Sequence, residues 1–148
     1  MTNVRSSWST DTSISGRTVY YIDQTFTTDI SMEWKFSTSI PTRFVMGFSQ
    51  LYPFNAKGYI YRYDSSNYWF SYSQSSANQE VNLGISPTTS NVFRLESENI
   101  DRIYAYLDST TKAYRDTMST VPLRVRVDEF SSVSIPLDYL KIKPKASA

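Results

Sequence analysis

The chain contains no cysteine and no histidine. Without cysteine there is no disulfide framework and no thiolate nucleophile. Without histidine the chain lacks the commonest general base at neutral pH, the commonest transition-metal ligand and every Ser-His or Cys-His arrangement. We therefore expect no cofactor and no metal site. The one alternative kept open is calcium held by Asp64 and Asn67, whose side chains serve more simply to cap a turn.

Charge of one sign and long apolar runs are also missing. Fifteen basic side chains face fourteen acidic ones, so no field that would attract a nucleic acid is expected. No apolar run approaches the length that crosses a bilayer, and the N-terminus has no signal-peptide core, so membrane insertion is not expected either. At 148 residues the chain predicts one domain with its own core.

The chain is instead rich in aromatic and hydroxyl side chains. Aromatic residues make up 16% of the chain, and twelve of them are tyrosine, against only four glycines. Several segments alternate apolar and polar residues with a period of two, which indicates half-buried antiparallel strands. The expected inward-facing positions are Ile30, Met32, Trp34, Phe36, Phe44, Met46, Phe48, Ile103, Ala105, Leu107, Leu123, Val125, Val127, Leu140 and Ile142. Gly47, inside one such strand, indicates a bulge or the close approach of a neighbour.

These strands predict an all-β fold, a two-sheet antiparallel β-sandwich (jelly roll) of about ten short strands. Residues 1–16 are expected to form an N-terminal arm or edge strand, residues 17–144 the sandwich domain, and residues 145–148 a C-terminal tail. The one stretch with any helical character is Thr110–Tyr114, a single turn at most.

The segment Gly58–Ser73 predicts a β-hairpin around which the sheet is built. Asp64–Asn67 has the short polar side chains of a tight turn, with alternating aromatic runs on both sides. A four-residue loop would place Tyr61 opposite Phe70 and Arg62 opposite Trp69. One face would then carry five tyrosines and a phenylalanine, and the sequence leaves open which face is buried.

The order of the strands resembles that of the concanavalin A-like lectin and glucanase superfamily. Its laminin-G-like modules and the glycan-binding modules of phage tail fibres and adhesins are the most similar. The resemblance extends over about Phe26 to Pro144. The segments that carry it are MEWKF, RFVMGFSQ, DSSNYWFSYS, FRLE (Phe93–Glu96), IYAYLDST (Ile103–Thr110), PLRVRV (Pro122–Val127) and LDYLKIKP (Leu137–Pro144).

The resemblance implies a carbohydrate-binding sandwich, but the catalytic motif of the glucanase branch is missing. That motif has two glutamates spaced four residues apart around an aspartate. Here Glu96 and Glu98 are two residues apart, whereas Glu80 and Glu129 stand alone. Outward glutamates such as Glu33 are more simply solvated surface. We therefore expect no catalytic residues and no enzymatic activity.

The candidate binding residues combine aromatic rings with polar side chains, because sugar rings stack on aromatic faces while their hydroxyls need hydrogen-bond partners. Core packing is the simpler role for any one of these rings, and Arg62 and Trp69 could equally form an ordinary cross-strand cation–π pair. Arg124 and Arg126 are expected at solvated outward positions. The candidate ligand-binding residues are Tyr52, Phe54, Tyr61, Arg62, Tyr63, Asn67, Tyr68 and Trp69.

Together these expectations predict a non-catalytic carbohydrate-binding or adhesion module that is part of a phage tail, fibre or cell-surface protein. The alternative is a structural virion or surface protein whose aromatic faces mediate subunit assembly; a glycoside hydrolase is a third hypothesis. The expected partner is a glycan or cell-surface polysaccharide, with a homo-oligomer or neighbouring virion subunits as further partners. The expected location is a virion or an extracellular surface.

Overall fold

The computed structural model describes twelve β-strands arranged in two antiparallel sheets. It describes residues 9–12, 15–22, 29–49, 56–62, 69–74, 77–83, 88–98, 102–116, 124–130 and 135–144. Within these ranges there is no helix, so none that could cross a membrane. The predicted all-β sandwich is confirmed, with two more strands than the sequence suggested.

Seven strands form the larger sheet, in the order β1-β2-β11-β4-β5-β6-β7, and every neighbouring pair is antiparallel. Its edge strand β1 comes from the segment expected to form an arm or edge strand. The strands are β1 (Ser9–Asp11), β2 (Arg17–Tyr21), β4 (Phe44–Ser49), β5 (Ala56–Arg62), β6 (Trp69–Gln74), β7 (Ala77–Asn82) and β11 (Arg124–Phe130).

Five strands form the smaller sheet, in the order β10-β9-β8-β3-β12. Its central strand β8 lies between β9 and β3, and β12 pairs with the other side of β3 to form one edge of the sheet. The strands are β3 (Ile30–Phe36), β8 (Phe93–Glu98), β9 (Arg102–Leu107), β10 (Thr110–Asp116) and β12 (Leu137–Pro144).

The core lies between the two sheets and follows the predicted alternation. Every second residue of the central strands is fully buried, so each of these sheets has one apolar face directed at the other. Trp34 stacks on Phe93 with ring centroids 5.4 Å apart, and Phe36 and Phe44 meet at 5.1 Å edge to face. The predicted inward residues that the structure finds buried are Ile30, Met32, Trp34, Phe36, Phe44, Met46, Phe48, Ile103, Ala105, Leu107, Val125 and Val127.

The predicted hairpin is present, but its register differs by one residue from the expected one. β5 and β6 pair Tyr61 with Trp69 and Ile60 with Phe70. The last described pair is Tyr61 with Trp69, and residues 63–68 lie outside the described part of the chain. Because side chains alternate with a period of two, a one-residue slip moves one strand's side chains to the other face.

This register corrects two predictions about the hairpin. Tyr61 does not pair with Phe70, so the expected single face of five tyrosines and a phenylalanine does not form. Arg62 and Trp69 are not opposite each other, because Trp69 pairs with Tyr61. The expected cross-strand pair between the arginine and the tryptophan is therefore wrong.

A two-residue turn at Asp108 and Ser109 corrects a further prediction. Both residues have positive φ, 51° and 70°, and Leu107 pairs directly with Thr110, which is the geometry of a tight hairpin. The Asp108 carboxylate accepts hydrogen bonds from the Val92 backbone N–H at 2.8 Å and the Asn91 side chain at 2.7 Å. The turn thus sends Thr110–Asp116 back as strand β10, where the sequence suggested one helical turn at most.

Gly47 allows two strands of the larger sheet to lie unusually close together. A Cβ built at this position would lie 2.5 Å from the Cα of Tyr59, and it would also overlap the Gly58 carbonyl oxygen. The predicted close approach at Gly47 is therefore confirmed, and the neighbour is strand β5. The pairing of β4 with β5 is irregular next to this position, between Phe48 and Ser49.

Replacing Gly47 by alanine is expected to destabilise the fold by about 2 kcal/mol or more, because the new methyl group overlaps backbone rather than a mobile side chain. Gly58→Ala provides the comparison, since a Cβ there meets only the Ile103 side chain, at 3.0 Å. Urea unfolding of both variants measures the difference. A smaller loss for Gly47→Ala than for Gly58→Ala would contradict the close approach of β5.

Replacing Ser109 by glycine is expected to stabilise the protein, by up to about 1 kcal/mol, because glycine adopts positive φ without the steric cost that serine bears. Thermal unfolding measures the change. Thr110→Gly is the control, since Thr110 belongs to β10 and glycine weakens strands. The prediction is wrong if Ser109→Gly lowers the melting temperature as much as the control does.

Candidate functional site

Aromatic and charged side chains meet on the outer face of the seven-stranded sheet. They alternate along their strands with core residues: Val125 and Val127 point inward, so Arg124 and Arg126 point outward. We call this set the arginine–tyrosine face. It consists of Tyr21, Tyr59, Tyr61, Arg124, Arg126 and Asp128.

The register aligns this face in two rows that run across the strands. In the first row Arg126 of β11 pairs with Tyr21 on one side and Gly47 on the other, and Gly47 pairs with Tyr59. In the second row Asp128 pairs with Val19 and Val45, and Val45 pairs with Tyr61. Residues from four adjacent strands therefore lie side by side in each row.

A buried ion pair joins the two rows. The Nε atom of Arg126 donates to one carboxylate oxygen of Asp128 at 2.9 Å, and its Nη2 atom donates to the other. Both residues are almost inaccessible, at 3% and 0% exposure. The expectation that Arg126 is a solvated outward residue is therefore wrong: it points outward, yet it is covered. The sequence did offer a signal, because opposite charges two residues apart on a strand share one face.

Arg124 lies at the end of the face nearest to Tyr21. Its guanidinium carbon is 5.2 Å from the centre of the Tyr21 ring, within the range of a cation–π contact. Both side chains are only partly buried. A guanidinium on an aromatic ring that solvent can still reach offers hydrogen-bond donors and an apolar surface at the same place.

The two tyrosines of β5 complete the face on its other side. The rings of Tyr59 and Tyr61 are 5.7 Å apart and tilted by 48°. Gly47 lets β5 lie against β4, so no side chain from β4 stands between Arg126 and Tyr59. Tyr59 is partly exposed, whereas Tyr61 is 5% exposed.

Exposure therefore differs between the two rows. Val19, Asp128, Val45 and Tyr61 have exposures of 0%, 0%, 2% and 5%, although none of them belongs to the core between the sheets. The first row is more accessible, because Tyr21 and Tyr59 at its two ends are only partly buried. The part of the face that a ligand could reach consists of Tyr21, Tyr59 and Arg124, because Arg126 and Gly47 in the middle of the first row are buried.

The outer face of the five-stranded sheet carries similar residue types that bind one another. Arg94 lies 4.2 Å from the Tyr106 ring centre and 3.3 Å from a carboxylate oxygen of Glu96. The Tyr139 hydroxyl donates to Glu33 at 3.0 Å. Burial, together with this hydrogen bond and the nearby carboxylates, raises the pKa of Tyr139, so its phenol stays neutral to a higher pH. We interpret this face as a set of cross-strand contacts that stabilise the sheet.

Only part of the predicted binding set lies on the arginine–tyrosine face. Tyr61 belongs to it. Arg62 instead follows the inward alternation of Ile60; it is 8% exposed, and its Nη1 atom donates to the Pro41 carbonyl at 2.9 Å. The backbone of Trp69 pairs with Tyr61. Tyr52, Phe54, Tyr63, Asn67 and Tyr68 lie outside the described residues.

The two loops that supplied these predictions attach to opposite ends of β5. Tyr52 and Phe54 precede Ala56, whereas Tyr63, Asn67 and Tyr68 follow Arg62. The sequence analysis did not select Tyr21, Arg126 and Asp128 because β2 and β11 are remote from the hairpin in sequence; Tyr59 lies within the hairpin but was not selected.

No cluster of three or more acidic side chains suited to a metal ion occurs in the described part of the chain. The pair considered for calcium, Asp64 and Asn67, lies outside it.

Comparison with solved structures shows that the chain has a jelly-roll fold found in several carbohydrate-related proteins. It is similar to alginate lyase AlyC3 in complex with dimannuronate, with 9% identity and a TM-score of 0.59 over 88% of this chain and 71% of the lyase. It is also similar to a sialidase, with 10% identity and a TM-score of 0.53 over 83% of this chain and 12% of that one. No protein-family model and no curated protein matches the chain.

A botulinum neurotoxin type C structure, from work on its interaction with two ganglioside molecules, is a third similar structure. Identity is 10% and the TM-score 0.51, over 89% of this chain and 37% of the toxin chain. At these identities the likeness shows the fold alone.

These comparisons correct the expectation that the protein is not an enzyme. Two alginate lyase structures, with TM-scores of 0.59 and 0.61, are among the similar folds. Enzymes and non-enzymes share this architecture. Missing histidine and a missing glucanase motif exclude particular mechanisms; they do not exclude catalysis on this fold.

Asp128→Asn is expected to destabilise the protein by about 3 kcal/mol, because it leaves the buried Arg126 guanidinium without its counter-charge. The double variant Arg126→Met with Asp128→Leu should recover most of that loss, since an apolar pair needs no compensation. Urea unfolding of the wild type, Arg126→Met, Asp128→Leu and the double variant gives the coupling energy, and Asp128→Asn is measured beside them. Additive losses would show that the two side chains do not depend on each other.

Proposed function

We propose that the protein binds carbohydrate on the arginine–tyrosine face and belongs to the concanavalin A-like superfamily. The observation that carries the proposal is the first row of that face. It places two partly exposed tyrosines on the outside of a sandwich, and the partly exposed guanidinium of Arg124 lies against one of them. The strand order that resembles this superfamily and the jelly-roll neighbours support it.

The chemistry of the face suits a sugar with polar and apolar surfaces. Tyr21 and Tyr59 offer ring faces on which the apolar side of a pyranose can stack. Arg124, which is partly exposed and rests on Tyr21, supplies hydrogen-bond donors, while the buried Arg126 and Asp128 lie beneath the face. A site of this kind gains affinity because its donors are already oriented before the ligand arrives.

A guanidinium that solvent can reach, that of Arg124, favours a sugar that carries a carboxylate. Arginine presents its N–H groups as a fork that matches a carboxylate, and such charge-assisted hydrogen bonds are stronger than neutral ones. The alginate lyase with bound dimannuronate shows that an acidic sugar is bound by one protein of similar fold. We therefore propose acidic oligosaccharides as preferred ligands.

The attachment of this domain to a phage tail, virion or cell surface remains a prediction from the sequence, as do subunit assembly and an extracellular location. An adhesive role would follow from glycan binding if that location is established. Glycan binding itself can be tested on the isolated chain.

Arg124→Gln is expected to lower the affinity for dimannuronate about tenfold and to leave binding of the neutral mannobiose unchanged, because only the acidic sugar loses a charge-assisted hydrogen bond. Isothermal titration of the wild type and the variant with both disaccharides measures this. The same samples are assayed for new reducing ends, which separates binding from chain cleavage.

Arg94→Gln is the matched control, since Arg94 also lies over a tyrosine ring but on the outer face of the other sheet. It should bind both disaccharides as the wild type does. If the wild type binds neither these sugars nor any glycan on an array, the proposed function is wrong. Equal losses in both arginine variants would place binding elsewhere.

A further inference from the structure

We propose that the edge strand β12 accepts an additional β-strand from a partner protein, an extended segment in which acidic and apolar residues alternate. This interaction is separate from the proposed carbohydrate site, which lies on the outer face of the other sheet. Three features of the described part of the chain carry the proposal. Strand β1 overhangs β12, the outer edge of β12 has no strand beside it, and lysines line its outward side.

The seven-stranded sheet extends beyond the five-stranded one on the side of β12. Phe44 of β4 contacts Phe93 of β8, and a Cβ built at Gly58 of β5 would meet Ile103 of β9. β4 therefore faces β8, and β5 faces β9. When this alignment is continued along both strand orders, β11 faces β3 and β2 faces β12. β1 then lies beyond β12, with no described strand opposite it.

Burial of the core decreases toward this side, as expected at an open edge. Trp34 of β3 is fully buried, whereas Leu140, which pairs with it, and Ile142 are only partly buried. Thr10 of β1 pairs with Tyr20, which packs on the core, so Thr10 faces the same way; it is exposed. A strand added beside β12 would lie under β1 and cover these apolar side chains.

The backbone of β12 has one partner among the strands that the structure describes. It pairs with β3 from Leu137 to Pro144, and β12 is the last strand of its sheet. On its other side, the N–H and C=O groups form the kind of edge to which an extended peptide can add. A register shift after Leu137 and the missing N–H of Pro144 limit the regular part of this edge to residues 139–143.

The outward side of this edge is basic. Its side chains are Tyr139, Lys141 and Lys143, and both lysines are exposed. The Lys141 ammonium lies 4.7 Å from the centre of the Tyr139 ring, so it stays above its own strand. Across the sheet, Lys143 faces the uncharged Ser31, while Glu33 opposite Lys141 accepts a hydrogen bond from Tyr139. An acidic strand would therefore find complementary charge along this edge.

The two sides of the edge define the sequence pattern of the partner strand. Residues beside Leu140 and Ile142 would point inward beneath β1, which favours apolar side chains. Residues beside Lys141 and Lys143 would point outward, which favours glutamate or aspartate. A second copy of β12 does not fit this pattern, because lysines would lie against lysines, and edge lysines are a common protection against such self-pairing.

The test uses three fluorescein-labelled peptides that differ in charge and in their ability to pair. The first is (Val-Glu)₄, the second is (Val-Lys)₄, and the third is (Val-Glu)₄ with its two central valines replaced by proline. The proline peptide keeps the charge of the first but cannot continue a strand. Anisotropy titrations should show that (Val-Glu)₄ binds about tenfold more tightly than either of the others. Hydrogen exchange of the amides of residues 139–143 should slow only with (Val-Glu)₄.

Charge reversal on β12 identifies the edge that binds. Lys143→Glu should weaken binding of (Val-Glu)₄ about fivefold, and Lys141→Glu combined with Lys143→Glu should reverse the preference toward (Val-Lys)₄. Arg43→Glu is the matched control, because Arg43 is also exposed but precedes β4 of the other sheet. It should bind all three peptides as the wild type does. Circular dichroism verifies that each variant is folded, and Lys143→Glu alone suffices if the double variant is not.

Several results would contradict the proposal. Equal binding of (Val-Glu)₄ and its proline form would show that charge alone accounts for binding, and equal losses in Lys143→Glu and Arg43→Glu would place it elsewhere. No binding of (Val-Glu)₄ would refute the acceptor edge. Slow exchange at residues 139–143 without peptide would show that the edge is already occupied, by a second copy if the protection rises with protein concentration, and by this chain itself if it does not. None of these results bears on glycan binding.

Discussion

The contact between Trp34 and Phe93 and the two phenylalanines around it holds the two sheets together. Trp34 and Phe93 belong to neighbouring strands of the smaller sheet, and Phe44 reaches them from the larger one. Phe36 contacts both Phe44 and Phe93 edge to face. Because these rings are fully buried, the inward positions of β3, β4 and β8 are fixed. The outward positions of the same strands are fixed with them.

This aromatic packing also determines which rings are left for a ligand. The buried core uses tryptophan and phenylalanine, whereas the described tyrosines lie on outer faces or at the margin of the core. A phenol hydroxyl in the core would need a hydrogen-bond partner there, and a phenylalanine ring needs none. The sequence interpretation assigned tyrosines to core or cross-strand packing, and those found on the outer faces are Tyr21, Tyr59, Tyr61, Tyr104, Tyr106 and Tyr139.

Strand identity was predictable from the sequence, and strand register was not. The alternation in β3, β4, β9 and β11 predicted the buried residues because apolar side chains with a period of two have only one face to occupy. The hairpin was different. Asp64–Asn67 has turn-forming residues throughout, so two registers that differ by one residue have similar local chemistry. The choice between them is made by pairing with β4 and β7, which local sequence does not reveal.

The candidate site was harder to predict than the fold because it combines remote strands. Tyr21 and Arg126 are more than a hundred residues apart in sequence and become neighbours only when β2 pairs with β11. Arg62 shows the converse: its neighbours in sequence suggested a ligand contact, but the alternation of β5 turns it inward to the Pro41 carbonyl. Sequence proximity to an aromatic loop was therefore a poor guide, whereas opposite charges on one face of β11 were a usable one.

The two outer faces differ in how their charges are arranged, and this difference argues for the larger sheet as the functional one. On the smaller sheet Arg94, Glu96 and Tyr106 form contacts at the surface. Such contacts add little to the stability of the fold, and forming them requires little desolvation. On the larger sheet Arg126 and Asp128 are desolvated beside Val19 and Val45. A buried ion pair is seldom more stabilising than an apolar pair of similar size. What it does provide is a guanidinium whose orientation is fixed next to exposed rings, which is useful for recognising a polar ligand.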